Sequence, residues 1–163
     1  MHMVFEHPVR VYWEDTDAGG IVFYANYLKF FERARTEWLR ALGIGQHLLR
    51  EQSGGMFVVS EARLQYHAPA RLDDALIVTA ELMEKGRASL TIQHRALLNN
   101  ERSGSPAQLL CAGAVRIGWV DAASLRPAEM VRTRAFGLMY VVAVLVTFGG
   151  LLVTAQLKPM AVS

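Results

Sequence analysis

A chain of 163 residues, 52% hydrophobic and 20% charged, has room for one domain with a buried core and too little for two of ordinary size. Its net charge of +2 is uneven: beyond residue 130 lie three basic residues and no acid, which leaves residues 1–130 with 14 basic against 15 acidic groups. Those basic groups are interspersed with Glu and Asp and form no stripe for a phosphate backbone, which argues against nucleic acid.

The first eight residues meet charge at once and contain no apolar stretch of signal-peptide length, so secretion is not expected. Residues 4–12 read as a strand in which Val9 and Val11 share one face and Arg10 and Tyr12 the other, with Pro8 favouring a sheet edge or strand start. The strand delivers an acidic, Gly-rich turn, Glu14-Asp15-Thr16-Asp17-Ala18-Gly19-Gly20. From about residue 23 to 42, Tyr27, Phe31, Ala34, Trp38 and Leu42 recur at spacings of three and four, the stripe of a helix with one buried face. Glu32 with Arg35 and Arg33 with Glu37 are expected as neighbouring pairs on its polar side, and Gly43 is placed to end it.

Four strand-like runs follow, over residues 56–66, 75–84, 89–99 and 108–120, separated by Pro69, by Lys85-Gly86-Arg87 and by residues 100–106. One long helix with about five strands indicates an α+β domain over residues 1–130. The single cysteine, Cys111, sits in the apolar run Leu109-Leu110-Cys111-Ala112 and reads as a buried strand thiol in a reducing compartment.

Residues 131–163 form a tail of different character. Its segment 135–157 is free of charge and, as a helix at ~1.5 Å per residue, would span a hydrocarbon core of ~30 Å. Arg126, Arg132 and Arg134 precede it and Lys158 follows, a bias that would put the N-terminal domain in the cytoplasm, anchored at the cytoplasmic face of the inner membrane. Gly149-Gly150 interrupts the run and its Val and Thr content also suits buried strands, so an element buried in the fold or covered in an oligomer, or an altered C-terminus, stands beside the membrane reading.

The chemistry concentrates between residues 11 and 42. Asp17 lies just before Gly19-Gly20, where missing side chains let the backbone approach a ligand closely. The chain then enters the helix, whose first N–H groups are free to bind an oxygen that gains charge. Asp17 is thus a candidate catalyst and the amide near Tyr24 a candidate oxyanion donor. Asp15 is the competing carboxylate, because alternation puts it on the same face; an Asp before a Gly pair also suits a purely structural Asx turn. His2, His7, His47, His67 and His94 are too scattered for a metal site. No metal and no cofactor is expected, and there is neither a G-x-S-x-G elbow nor a P-loop.

The turn, together with Glu32-Arg33-Ala34-Arg35-Thr36-Glu37, resembles the signature of the 4-hydroxybenzoyl-CoA thioesterase family, and looks most like its Tol-Pal-associated acyl-CoA thioesterases. The resemblance continues through Gly55-Met56-Phe57-Val58-Val59, Tyr66-His67-Ala68-Pro69-Ala70-Arg71-Leu72-Asp73-Asp74 and Arg126-Pro127, covering roughly residues 4–128. It implies a hotdog fold, a curled antiparallel sheet wrapped around one long helix, and hydrolysis of an acyl-CoA to a carboxylic acid and free CoA. It gives the second Asp of the triplet Asp15-Thr16-Asp17 the role of nucleophile or general base, with Gly20, Tyr24 and Glu32 around the substrate. Tyr24 stands where many Tol-Pal-associated members carry His and the 4-hydroxybenzoyl-CoA enzymes an aromatic residue, which leaves the acyl preference open. Arg71, Arg87 and Ser89 are candidate anchors for CoA phosphates. The family further implies a homodimer or homotetramer with sites shared between subunits. A membrane-linked scaffold that holds acyl carrier protein or an envelope complex is the alternative function.

Overall fold

A computed structural model describes residues 4–99 and 106–127. The chain runs through β1 (Phe5–Arg10), a single 3-10 turn (Trp13–Asp15), the helices α1 (Asn26–Ala41) and α2 (Gln46–Ser53), and the strands β2 (Gly55–Tyr66), β3 (Ala75–Lys85), β4 (Ser89–Leu98) and β5 (Gln108–Asp121). The strands form one sheet in the order β1-β3-β4-β5-β2, with every neighbouring pair antiparallel. Pro8 lies opposite Ile77 in β1, an edge strand, where a missing N–H costs nothing to a second neighbour. The register shifts in β2 between Val59 and Glu61, in β3 between Leu82 and Glu84, and in β5 between Cys111 and Leu109, opposite Ala96 and Leu97 of β4. Such bulges raise local twist and curl a sheet. The architecture is the hotdog expected from the resemblance, and Cys111 is buried in β5 as expected.

The curled face holds α1. Tyr27, Phe30, Phe31 and Ala34 of the helix are buried with Val9, Val11, Leu76, Val78, Ala96, Leu110 and Cys111 in one cluster, and α1 packs chiefly on β3 and β1. Phe31 reaches further, to β5, where Gly113 makes room: a Cβ there would stand 2.9 Å from Phe31 Cε2 and 3.1 Å from the carbonyl of Arg63. The C-terminal end of the helix closes in two backbone bonds, Gly43 N–H to the carbonyl of Arg40 and Ile44 N–H to that of Leu39, both at 2.8 Å. This is the Schellman arrangement with glycine in the left-handed position.

Three expectations are corrected. Arg35 is not on the polar face but only 8% exposed, because it lies one turn after Phe31 and so continues the buried stripe. Glu32 instead accepts the Thr36 hydroxyl at 2.7 Å, and Glu37 pairs with Arg40 rather than Arg33. The sequence gives no sign of α2, whose eight residues bury none of their own and are too few to print a periodic pattern; Leu49 merely leans on Leu39, Ile44 and Phe57. The tail of residues 131–163, with its apolar run 135–157, lies outside the described residues. Among the described residues no helix is long and apolar enough to cross a membrane.

Gly113→Ala is expected to overpack the helix–sheet contact and destabilise the protein by about 1–3 kcal/mol. Urea denaturation checks this as a lower midpoint with an unchanged slope.

Candidate active site

The acidic turn is a tight hairpin. Thr16 and Val22 face each other across it, Asp17 N–H donates to the Ile21 carbonyl at 2.9 Å, and Gly20 N–H returns to the Asp17 carbonyl at 3.0 Å. Gly20 sits at φ 70°, a conformation side-chain-bearing residues rarely adopt. The two carboxylates of the turn take opposite fates. Asp15 is 2% exposed; its Oδ2 accepts Tyr12 N–H at 2.9 Å, and its carbonyl accepts Phe23 N–H and Asn26 Nδ2 at 2.9 Å each. It is therefore a brace of the hairpin. Asp17 is exposed at the tip, with Oδ1 accepting Gly19 N–H at 2.8 Å in an Asx turn. Its other oxygen has no partner among the described residues.

The hairpin leads straight into α1. Asn26 N–H donates to the Phe23 carbonyl at 2.8 Å, Ala25 occupies the cap position, and no side chain caps the helix. The N–H groups of Tyr24 and Ala25 have no hydrogen-bond partner among the described residues. Free amides at a helix start, with the positive end of the dipole, favour a negative oxygen.

An aromatic cluster adjoins these amides. The Tyr24 ring is 62% exposed and meets Phe23 at 4.5 Å and the edge of Tyr66 at 6.5 Å between centroids. Tyr66, the last residue of β2, donates its hydroxyl to the Tyr24 carbonyl at 3.1 Å and packs on Tyr27 at 5.9 Å. The Tyr27 hydroxyl accepts Ala70 N–H at 3.2 Å. Phe23, Leu28 and Tyr66 are also among the exposed large apolar side chains, so a carboxylate and free amides border a surface suited to an apolar group.

Of the other candidates, Arg71 bridges to Ile21 beside the hairpin, its N–H bound to Asp74 Oδ2 at 2.7 Å. Asp17, Gly20, Tyr24 and Arg71 thus gather at one end of the sheet. Glu32 lies exposed on α1, two turns in. Arg87 and Ser89 sit at the β3–β4 turn, closed by Gly86 N–H to the Ser89 carbonyl at 2.8 Å, where Ser89 Oγ accepts Arg116 Nη2 at 3.3 Å. The 11 residues of β3, at ~3.3 Å each, separate that turn from Arg71. One subunit does not bring both ends to one ligand headgroup.

Residues 19–104, just over half the chain, match the Thioesterase superfamily. The chain belongs to the thioesterase superfamily. Among curated proteins, this superfamily member is 42% identical over 123 residues to the acyl-CoA thioesterase YbgC of Haemophilus influenzae, covering 76% of this chain and 85% of that one. It is 40% identical over 127 residues to the acyl-CoA thioester hydrolase YbgC of Escherichia coli O6:H1, covering 78% and 90%. Among solved structures, a probable thioesterase from Bartonella henselae superposes with a TM-score of 0.71 at 27% identity, over 78% of this chain and 99% of that one.

The superfamily member also carries a buried polar pair that the sequence does not announce. Arg35 Nη1 lies 3.1 Å from His94 Nε2, and His94 Nδ1 lies 2.8 Å from the Thr79 carbonyl. The imidazole is fully buried and stacked on Phe31, with centroids 4.9 Å apart and planes 10° off parallel. Burial, reinforced by the Arg35 guanidinium, pulls His94 down to about 3, so the ring is neutral. Burial also lowers Arg35, with Glu32 opposing. Scattered in sequence, Arg35 and His94 meet only once β4 lies beneath α1.

The folded chain holds His94 neutral while the unfolded chain protonates it near its ordinary value of 6.5. The stabilisation is complete above that value and is lost as pH falls from there toward about 3, at up to about 1.4 kcal/mol per pH unit for one proton. Urea denaturation of the parent and His94→Gln at pH 7 and 4.5 is expected to show the parent losing more stability than the variant.

Proposed function

We propose that this chain is an acyl-CoA thioesterase that releases a carboxylic acid and free CoA. The observation that carries the reading is the placement of a solvent-facing carboxylate, Asp17, just before two amides, those of Tyr24 and Ala25, that have no hydrogen-bond partner among the described residues. Thioester cleavage needs an attacking group or a base, and donors aimed at the oxygen that gains charge. Asp17 supplies the first, either by attacking the carbonyl carbon and forming a mixed anhydride that water then opens, or by taking a proton from the attacking water. The helix-start amides supply the second. The thiolate of CoA leaves in either route. Tyr24, Tyr66 and Phe23 offer the acyl group an aromatic wall, and Gly20 keeps the turn clear of side chain.

The assembly we propose is a homodimer or homotetramer. β2 is an edge strand of 12 residues with Val59 and Tyr66 exposed, and an unpaired edge of that length invites a second chain. A neighbouring copy could bring its Arg87 and Ser89 to the Asp17 end, which would reconcile their distance from it within one subunit and leave Glu32 facing the shared site. The domain is placed in the cytoplasm on the basic residues before the apolar run.

The test is steady-state hydrolysis of acyl-CoAs from short to long, plus one aromatic thioester, by the parent and Asp17→Asn. The parent is expected to turn over at least one member and the variant to lose a hundredfold or more in kcat. An inactive parent, or a variant equal to it, would transfer the weight to a scaffold that binds acyl carrier protein or an envelope complex.

A further inference from the structure

The chemistry above uses the start of α1 and assigns nothing to Arg35 or His94. Among the described residues, their hydrogen bond is the only one between a side chain of α1 and a strand of the sheet. The helix otherwise packs on the sheet through apolar side chains, Tyr27, Phe30, Phe31 and Ala34 in one cluster and Trp38 and Leu39 further along. Apolar packing is non-directional and tolerates a helix that turns or slides slightly. A hydrogen bond fixes length and direction.

The direction here is set from the sheet upward. A carbonyl only accepts, so the Thr79 oxygen at 2.8 Å makes His94 Nδ1 the protonated nitrogen. Nε2 is then an acceptor, and Arg35 Nη1 donates to it at 3.1 Å. Phe31 stacks flat on the same ring and packs down onto Gly113, so the imidazole cannot tilt without moving the helix core. A guanidinium buried against a neutral partner is a poor source of stability, since apolar side chains of similar volume often do as well or better. What such a buried polar contact supplies is register.

The start of the helix is attached separately, by Asn26 Nδ2 to the Asp15 carbonyl at 2.9 Å and by the Tyr27 hydroxyl, which accepts Ala70 N–H at 3.2 Å. Both lie on adjacent residues of the first turn, and attachments at one end leave the far end of the helix free to swing. Arg35 lies nine residues beyond Asn26, ~14 Å at 1.5 Å per residue along a stiff rod, and a directional attachment there removes the swing. The Asp17 hairpin is supported by the bond from Val22 N–H to the Ala70 carbonyl at 2.9 Å and by the Ile21–Arg71 bridge. Hairpin and helix start thus share Asp15 and Ala70 as anchors, which fix where the helix begins but not the rotation and height at which its body runs over the sheet.

We propose that Arg35 and His94 are a positioning pair that sets the rotation and height of α1 over the sheet, and through the helix the place of the Tyr24 and Ala25 amides relative to Asp17. The kinetic part of this inference rests on the thioesterase reading; the geometric part does not.

The experiment compares the parent, the apolar double variant Arg35→Met/His94→Phe, and His94→Gln. Glutamine can donate to Thr79 and accept from Arg35, and so keeps both bonds. Three quantities are read: melting temperature, kcat and KM on the best acyl-CoA, and hydrogen exchange of the bonded amides of Phe23, Asn26 and Leu28 at the helix start. The double variant is expected to melt at or above the parent, to lose at least tenfold in kcat with KM within threefold, and to exchange those amides at least tenfold faster. His94→Gln is expected to stay within threefold of the parent in kcat and exchange. Parental kcat and exchange in the double variant, or a Gln variant as impaired as the double variant, would overturn the proposal. If the double variant does not fold, His94→Asn replaces it: the shorter amide cannot span both partners and is expected to lose tenfold in kcat where Gln does not, and equal behaviour of the two would overturn the pair. If the parent hydrolyses nothing, exchange decides alone. Faster exchange then keeps the positioning pair while the thioesterase reading fails, and unchanged exchange removes the pair.

Discussion

The burial of one face of α1 in the hollow of the sheet is the constraint on which the rest depends. Phe30, Phe31 and Ala34 are fully buried, and for that the sheet must curl, which three register shifts achieve, and one of its strands must carry no side chain under Phe31, which Gly113 provides. Helix burial is thus a joint property of residues spread over some eighty positions of sequence. It also orients the helix lengthwise, so that its uncapped start emerges at the end of the sheet where β1 leaves and β3 begins. The geometry of that end follows from packing in the middle.

The hairpin before α1 shows how little separates a buried carboxylate from an exposed one. Asp15 and Asp17 share chain, charge and local turn, yet the first is enclosed by Tyr12, Phe23 and Asn26 and the second is held outward by a single Gly19 N–H. A carboxylate buried within the hairpin has little to offer a substrate. An oxygen left over at the tip does.

Much of this was legible in the sequence because local rules governed it. The strand-like runs at residues 75–84 and 89–99, with the turn residues Lys85-Gly86-Arg87 between them, mark β3 and β4 nearly to the residue, the three-four spacing marks α1, and Gly43 marks its end. The turn around Asp17 was legible because its glycines are demanded by local backbone geometry. What escaped was whatever local rules do not encode. α2 is too short to repeat a pattern. Arg35 reads as polar by its chemistry, but it lies one turn after Phe31, and that phase is the better guide to its burial. Asp15 could not be separated from Asp17 by alternation, since the 3-10 turn breaks the strand between them. Tyr66 joins the site from forty-two residues away, and only the phase of β2 relative to Leu64 could have hinted at it.

The lone thiol has a use of its own. Cys111 is buried beneath α1 in β5, and burial pushes it up to about 12, so in the native protein it is both hidden and protonated at neutral pH, and a thiol-reactive dye has nothing to attack. Modification then reports the moments when α1 lifts from the sheet or the chain opens altogether. With one cysteine in the sequence, the dye carries a single signal, and the native molecule contains its own clock for the opening of its core.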